Sequence, residues 1–104
     1  MSNKQETNLQ NNIRIELSKL GIKTFRNNVG RFKTQDDRWI KIGTVGMSDL
    51  LAIKNGKAIW LETKTPVGKA SKEQVAFIKA MQLSGCKAGF VRSIEDAIKI
   101  CSEE

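Results

Sequence analysis

Two acidic residues lie at the open end of a predicted β-hairpin, one on each strand, at positions where their carboxylates would meet. Asp49 precedes one apolar run and Glu62 lies near the end of the next. Asn55-Gly56 between the runs is the strongest short-range signal of a two-residue type I′ turn. Counting outward from this turn places Asp49 opposite Glu62 on one face, with Cβ atoms about 4.5–5.5 Å apart. The spacing therefore predicts a pair of facing carboxylates.

A lysine completes this predicted site. Lys64 follows Glu62 by two residues, so it projects from the same face of the strand. Two carboxylates can bind Mg²⁺ or Mn²⁺, and the backbone carbonyl of Thr63 is a candidate third ligand. Lys64 could orient or deprotonate an attacking water, or stabilise the charge of a transition state. For Glu-x-Lys alone, a solvated ion pair is the simpler interpretation, but the facing Asp49 favours a metal-dependent phosphodiesterase.

Composition narrows the possible functions. The 104 residues predict one domain, 1–104, and carry 18 Lys+Arg against 11 Asp+Glu, a net charge of +7. This balance favours an anionic partner, nucleic acid above a membrane surface, because no long apolar stretch and no signal-peptide pattern is present. We therefore expect a cytoplasmic protein that does not bind membranes. The absence of histidine excludes Ser-His and Cys-His mechanisms and the usual zinc sites, and Cys86 and Cys101 are predicted to be buried free thiols.

Periodicity predicts an α/β fold with a mixed β-sheet flanked by helices. The expected order is αβ(β)ββαβα, in which the hairpin 49–64 is apolar on both faces and therefore central. The helix over 71–83 forms a crossover to a parallel strand at 87–91. The segment 31–47, basic and punctuated by glycines, is expected to be a mobile or hairpin-like excursion. The first helix is predicted from Glu6 to Leu20, ending at Gly21, with one apolar stripe: Leu9, Ile13, Leu17 and Leu20.

Three motifs together resemble the PD-(D/E)xK nuclease superfamily and, within it, the VRR-NUC (virus-type replication-repair nuclease) family. They are Gly46-Met47-Ser48-Asp49, Glu62-Thr63-Lys64 and Ser71-Lys72-Glu73-Gln74, with a further likeness at Asn28-Val29-Gly30. Ser48 stands where many members of the superfamily carry proline. The resemblance covers residues 6–100 and implies a restriction-endonuclease-like fold. It also implies that Asp49 and Glu62 bind the metal ion and that Lys64 assists catalysis.

The resemblance suggests catalytic roles for Gln74 and Glu6 as well. Ser71-x-x-Gln74 is also a capping box, a helix-start motif with no catalytic content, although Gln74 shares its helix face with the inward-facing Phe77. Both interpretations of Gln74 stay open. Glu6 lies at helical spacing from the apolar stripe of the first helix, with Gln5 as a neighbouring alternative and Glu16 less central.

Basic residues near the acids are candidates for DNA binding. They contact phosphates, which gives affinity and orientation without sequence specificity; a solvated surface is the alternative. Lys69 and Lys72 are the better candidates, because a helix N-terminus suited to phosphate lies beside them. The predicted nucleic-acid-binding residues are Arg31, Lys33, Arg38, Lys41, Lys69 and Lys72.

The sequence thus predicts a Mg²⁺- or Mn²⁺-dependent DNA endonuclease. Similarity of VRR-NUC domains to Holliday-junction resolvases implies branched DNA as substrate, a homodimer and an origin in phage or mobile elements. Two copies are also the simplest way for a chain with one active site to cut both strands. The rival hypotheses are a basic DNA-binding module that retains the fold without catalysis, and a metal-free interaction subunit.

Overall fold

Three helices and six strands make up residues 2–27 and 30–103, the part of the chain that the computed structural model describes; the side chains of residues 2, 3, 30–32, 41 and 42 are outside that part. In chain order the elements are α1 Ser2–Lys19, β1 Lys23–Arg26, β2 Gly30–Lys33, β3 Trp39–Ile42, β4 Leu50–Lys54, β5 Lys57–Thr63, α2 Lys72–Leu83, β6 Lys87–Val91 and α3 Ile94–Ser102.

The main sheet has four strands in the order β1-β4-β5-β6. β5 and β6 are parallel and joined by α2, while the other neighbours are antiparallel. Asn55 and Gly56 have φ of 52° and 75°, as a type I′ turn requires. This turn fixes the predicted register, in which Lys54 pairs with Lys57 and Leu50 with Leu61. The prediction of an α/β fold with a mixed sheet and a central hairpin is confirmed.

Helices cover the sheet on both sides. α1 and α3 pack on the face that carries the main core, whose largest fully buried side chains include Ile13, Leu17, Leu50, Leu61 and Val91. α2 covers the opposite face, where Phe77 meets Trp60 edge-on with ring centroids 5.2 Å apart. The ends of β4 and β5 are therefore enclosed between two layers of helices.

The end of α1 differs from the prediction. Leu20 is 57% exposed, although the stripe placed it in the core. Gly21, at φ +79°, reverses the chain, so that the Ile22 N–H donates to the Leu17 carbonyl (2.9 Å) and the Gly21 N–H to Ser18 (3.0 Å). Ile22, 5% exposed, thereby takes the core position expected for Leu20. The helix also begins earlier than predicted, at Ser2.

The segment after β1 contains two strands where the predicted order allowed one. β2 and β3 form a separate two-stranded antiparallel sheet and make their principal contacts with each other. The excursion is therefore a hairpin. Asn28 and Val29 of the predicted turn lie outside the described residues.

The two cysteines are free thiols, as predicted. Cys101 is fully buried on α3, and burial raises the pKa of its thiol. The prediction that Cys86 is buried is wrong: it lies just before β6, outside the regular structure, and is only partly buried.

Candidate active site

The two predicted acids lie together where β4 begins and β5 ends. Asp49 directly precedes β4, and Glu62 is the penultimate residue of β5. The Asp49 N–H donates to Glu62 Oε1 at 3.3 Å, so the backbone of one acid contacts the carboxylate of the other. Glu62 is 4% exposed. The two acids thus share one end of the sheet, where Glu62 is buried and Asp49 is half-buried.

The Asp49 carboxylate accepts hydrogen bonds from two sides. The Thr63 N–H donates to Oδ1 (3.1 Å) and the Thr63 hydroxyl to Oδ2 (2.5 Å). Gln10, on α1, also donates to Oδ2 from Nε2 at 2.7 Å, and the same amide lies 3.1 Å from the Thr63 hydroxyl. Asp49 is consequently held by the sheet and by the first helix together.

Gln74 both caps α2 and contacts Glu62. Its Oε1 accepts from the Ser71 N–H (3.0 Å), and its own N–H donates to the Ser71 hydroxyl (3.1 Å), which completes the capping box of α2. Its Nε2 donates to Glu62 Oε2 at 3.2 Å. The cap therefore orients an amide donor towards the second acid, and the start of α2 is fixed against the end of β5.

Lys64 is a buried lysine, 7% exposed. It follows β5 directly, and its backbone N–H donates to the Val91 carbonyl at 3.0 Å. Its charge acts favourably on Glu62, while the described residues include no carboxylate within ion-pair distance of its ammonium group. The ammonium group is thus held near the acids without being neutralised by direct contact.

The electrostatics of the pair are unfavourable for two ionised acids. Burial, and then the nearby charge of Asp49, raises the pKa of Glu62 to about 8 although Lys64 opposes this. Burial also raises the pKa of Asp49, against the hydrogen bonds from Thr63 and Gln10. The charge of Glu6, on α1, also raises both pKa values, as the smallest of the causes. A bound cation would relieve this repulsion.

The donor set fits a hard divalent cation that retains several waters. Within residues 2–27 and 30–103, no group of three or more Asp, Glu, Cys or His side chains is close enough to hold a metal ion. Two carboxylates with waters and a backbone oxygen nevertheless match what Mg²⁺ accepts. Thr63 contacts Asp49 through its N–H and its hydroxyl, so a ligand role for its carbonyl stays a prediction, as does a catalytic role for Glu6.

A glycine brings the Gly-x-Ser-Asp motif against α2. Gly46 has φ +84°, and a Cβ built there would lie 2.3 Å from the Glu73 carbonyl oxygen. Asn27 holds the same segment from the other side, because its Nδ2 donates to the Ser48 carbonyl (3.0 Å) and its N–H to the Asp49 carbonyl (2.8 Å). The segment that carries Asp49 is therefore fixed at both ends.

The predicted DNA-binding residues fall into three groups. Lys69 and Lys72 are exposed beside the N-terminus of α2, next to the acids. Lys33 and Arg38 lie on the β2–β3 hairpin and pair with its own acids, Asp37 at 2.7 Å and Asp36 at 3.1 Å. The side chains of Arg31 and Lys41 are outside the described part of the chain.

Three contributors to the site were missed by the sequence analysis: Gln10, Asn27 and Arg92. Gln10 carried a usable signal, since it is a polar residue at helical spacing from Glu6, Ile13 and Leu17. Arg92 Nη1 donates to the carbonyls of Thr65 (2.5 Å) and Gly68 (2.8 Å) and so fixes the loop between Lys64 and α2. No local pattern predicts Arg92, because its partners are more than 20 residues away.

Comparison with family models and with curated proteins finds no match to this chain. Among the described residues, no helix is both long enough and apolar enough to cross a membrane.

Proposed function

We propose that this protein is a divalent-metal-dependent DNA endonuclease of the PD-(D/E)xK type, similar in its motifs to VRR-NUC domains. The observation that carries the proposal is the pair of half-buried Asp49 and buried Glu62, with buried Lys64 near Glu62 and a raised pKa on both acids. Placing two acidic groups together at a poorly hydrated position lowers the stability of the fold. Acids with perturbed pKa values that cluster at one site favour a catalytic interpretation.

Each residue has a distinct role in this proposal. Asp49 and Glu62 hold Mg²⁺ or Mn²⁺, with the Thr63 carbonyl as a third ligand. The ion, when bound, supplies positive charge at the phosphate and acidifies a water. Lys64 orients or deprotonates the attacking water, or supplies positive charge at the reacting phosphate. Gln74 orients Glu62, and Glu6 adds negative charge from α1.

DNA is the substrate that charge and position favour. The chain carries a net charge of +7. Lys69 and Lys72 are exposed beside the helix N-terminus next to the acids, a position suited to a backbone phosphate. The resemblance to VRR-NUC domains adds branched DNA to the proposal. A homodimer completes it, because two chains with one site each are the simplest way to cut two strands.

A non-catalytic DNA-binding module is the second candidate. It is favoured by the fact that Asp49 already accepts hydrogen bonds from Gln10 and Thr63, which satisfies much of that carboxylate without a metal ion. Its affinity for DNA would survive the loss of either acid and would need no divalent cation.

Cleavage assays distinguish the two candidates. A four-way junction, a flap and a linear duplex are incubated with purified protein in Mg²⁺, Mn²⁺, Ca²⁺ or EDTA. The variants are Glu62→Ala and Lys64→Met, and Glu95→Gln on the exposed first turn of α3 serves as the control. We expect cleavage in Mg²⁺ or Mn²⁺ only, retained by the control and reduced at least about 100-fold in both site variants.

Two results would decide against the nuclease. Binding of DNA in Ca²⁺ without cleavage in any metal leaves the binding module as the function. Cleavage by Glu62→Ala at the wild-type rate would show that the activity arises elsewhere or from a contaminant.

A further inference from the structure

We propose that Gln10 and the Thr63 hydroxyl are positioning residues that occupy one oxygen of Asp49 and leave the other, Oδ1, for a metal ion. This inference rests on the proposed function and concerns how that site is assembled. Gln10 lies outside the three sequence motifs, on α1. Thr63 belongs to one of them, but the sequence analysis assigned a role only to its backbone carbonyl.

The hydrogen bonds are distributed unequally over the two carboxylate oxygens. Oδ2 accepts from Gln10 Nε2 at 2.7 Å and from the Thr63 hydroxyl at 2.5 Å. A carboxylate oxygen offers about two lone-pair sites, so these two donors fill Oδ2. Oδ1 has its main contact with the Thr63 N–H at 3.1 Å. Only Oδ1 therefore retains capacity for another partner.

The burial of Gln10 indicates that its amide group serves this contact. The side chain is 6% exposed, and its Oε1 is buried without a hydrogen-bond partner among the described residues. Burying an unsatisfied acceptor is unfavourable, whereas an apolar residue would suit the neighbouring Ile13 and Leu17. Reversing the amide would place Oε1, an acceptor, against the Asp49 carboxylate. The observed orientation therefore keeps the donor on Asp49 and leaves the acceptor unpaired.

The two donors come from separate layers of the fold. Thr63 is the last residue of β5, and Gln10 reaches the same oxygen from α1, 39 positions before Asp49 in the sequence. Two donors from different elements restrict rotation of the carboxylate more than one would. Removal of a hydrogen-bond partner of a metal ligand typically lowers the affinity for the metal ion by about 10–100-fold.

The test is a titration of the full chain with Mn²⁺, in which isothermal titration calorimetry measures the binding affinity. Gln10→Met removes the amide at similar volume, and Thr63→Val removes the hydroxyl but keeps the N–H. Gln82→Met is the matched control, because Gln82 makes a surface hydrogen bond to the Ala88 carbonyl (2.9 Å) remote from the acids. We expect at least about tenfold weaker Mn²⁺ binding in both site variants and no change in the control. For cleavage we expect a higher Mn²⁺ requirement with an unchanged KM for DNA.

The outcomes separate this inference from the proposed function. Mn²⁺ binding by the wild type with wild-type affinity in both site variants overturns the positioning role and leaves the nuclease intact. No Mn²⁺ binding by the wild type overturns both. If Gln10→Met does not fold, as judged by circular dichroism, Thr63→Val decides alone.

Discussion

At the level of the residue, Glu62 is the group whose ionisation folding disfavours most clearly. The raised pKa of about 8, against 4.5 for the free side chain, means that the folded protein holds this proton more tightly than the unfolded chain does. The charge of Lys64 and the hydrogen bond from the Asp49 N–H reduce this effect without removing it. The conformational stability of the metal-free protein is therefore linked to pH.

The sign of this linkage gives the first prediction. Between about pH 4.5 and pH 8 the unfolded chain releases the proton while the folded protein retains it, so stability falls as pH rises. Glu62→Gln removes this contribution. In EDTA we expect similar melting temperatures for both proteins near pH 4.5, and a variant more stable by at least about 5 °C at pH 9.

Thermal melts by circular dichroism across this pH range test the prediction. Glu95→Gln, at an exposed position on α3, should keep the pH dependence of the wild type. The same decline with pH in wild type and Glu62→Gln would show that Glu62 is not the titrating group.

At the level of the element, the site depends on how the segment before β4 packs against α2. Gly46 makes the close approach, Asn27 holds the Ser48 and Asp49 carbonyls, and Gln74 links the start of α2 to Glu62. These contacts join the segment before β4 and the end of β5 to the start of α2. A side chain at position 46 would separate them.

Substitution of Gly46 by alanine tests this packing. Both Gly46 and Gly21 have positive φ, but a Cβ at Gly21 has nothing within 4 Å, whereas at Gly46 it meets the backbone of Glu73. We expect Gly21→Ala to lower the free energy of unfolding by about 1–2 kcal/mol. Gly46→Ala should lower it by about 1–3 kcal/mol more. Urea denaturation measures both, and equal losses would contradict the close approach.

At the level of the whole molecule, positive charge is spread over many surfaces, but only part of it lies near the acids. Lys69 and Lys72 flank the start of α2, whereas Lys23 and Lys57 lie at the opposite end of the sheet, about 20 Å away along β5. If DNA binds across the candidate site, Lys69 and Lys72 should contribute to DNA affinity and Lys23 and Lys57 should not.

The salt dependence of DNA binding distinguishes the two pairs. The double variant Lys69→Gln/Lys72→Gln should weaken binding in Ca²⁺ and reduce the slope of log Kd against log salt by about 2. Lys23→Gln/Lys57→Gln loses the same charge and should keep the wild-type slope. Fluorescence anisotropy with a labelled duplex measures both, and identical slopes in the two double variants would place the DNA elsewhere.

The sequence by itself determined the features that depend on neighbours along the chain. The Asn55-Gly56 turn sets the register of the hairpin, because a two-residue type I′ loop allows one pairing. That register ends in the pair Leu50 and Leu61, and Asp49 and Glu62 are the next residues outward from the turn. The capping box at Ser71 and the crossover through α2 were likewise predictable, since each arises within a few residues or from a single βαβ unit.

Only the tertiary structure decided the contacts that join distant parts of the chain. Gln10 reaches Asp49 from α1, Arg92 fixes the loop after Lys64, and Gly46 meets Glu73. Leu20 was placed wrongly for the same reason, because helical periodicity does not show where the chain reverses and Ile22 enters the core. Local pattern specifies hydrogen bonds between neighbours, whereas a buried polar side chain finds its partner only when separate layers pack together.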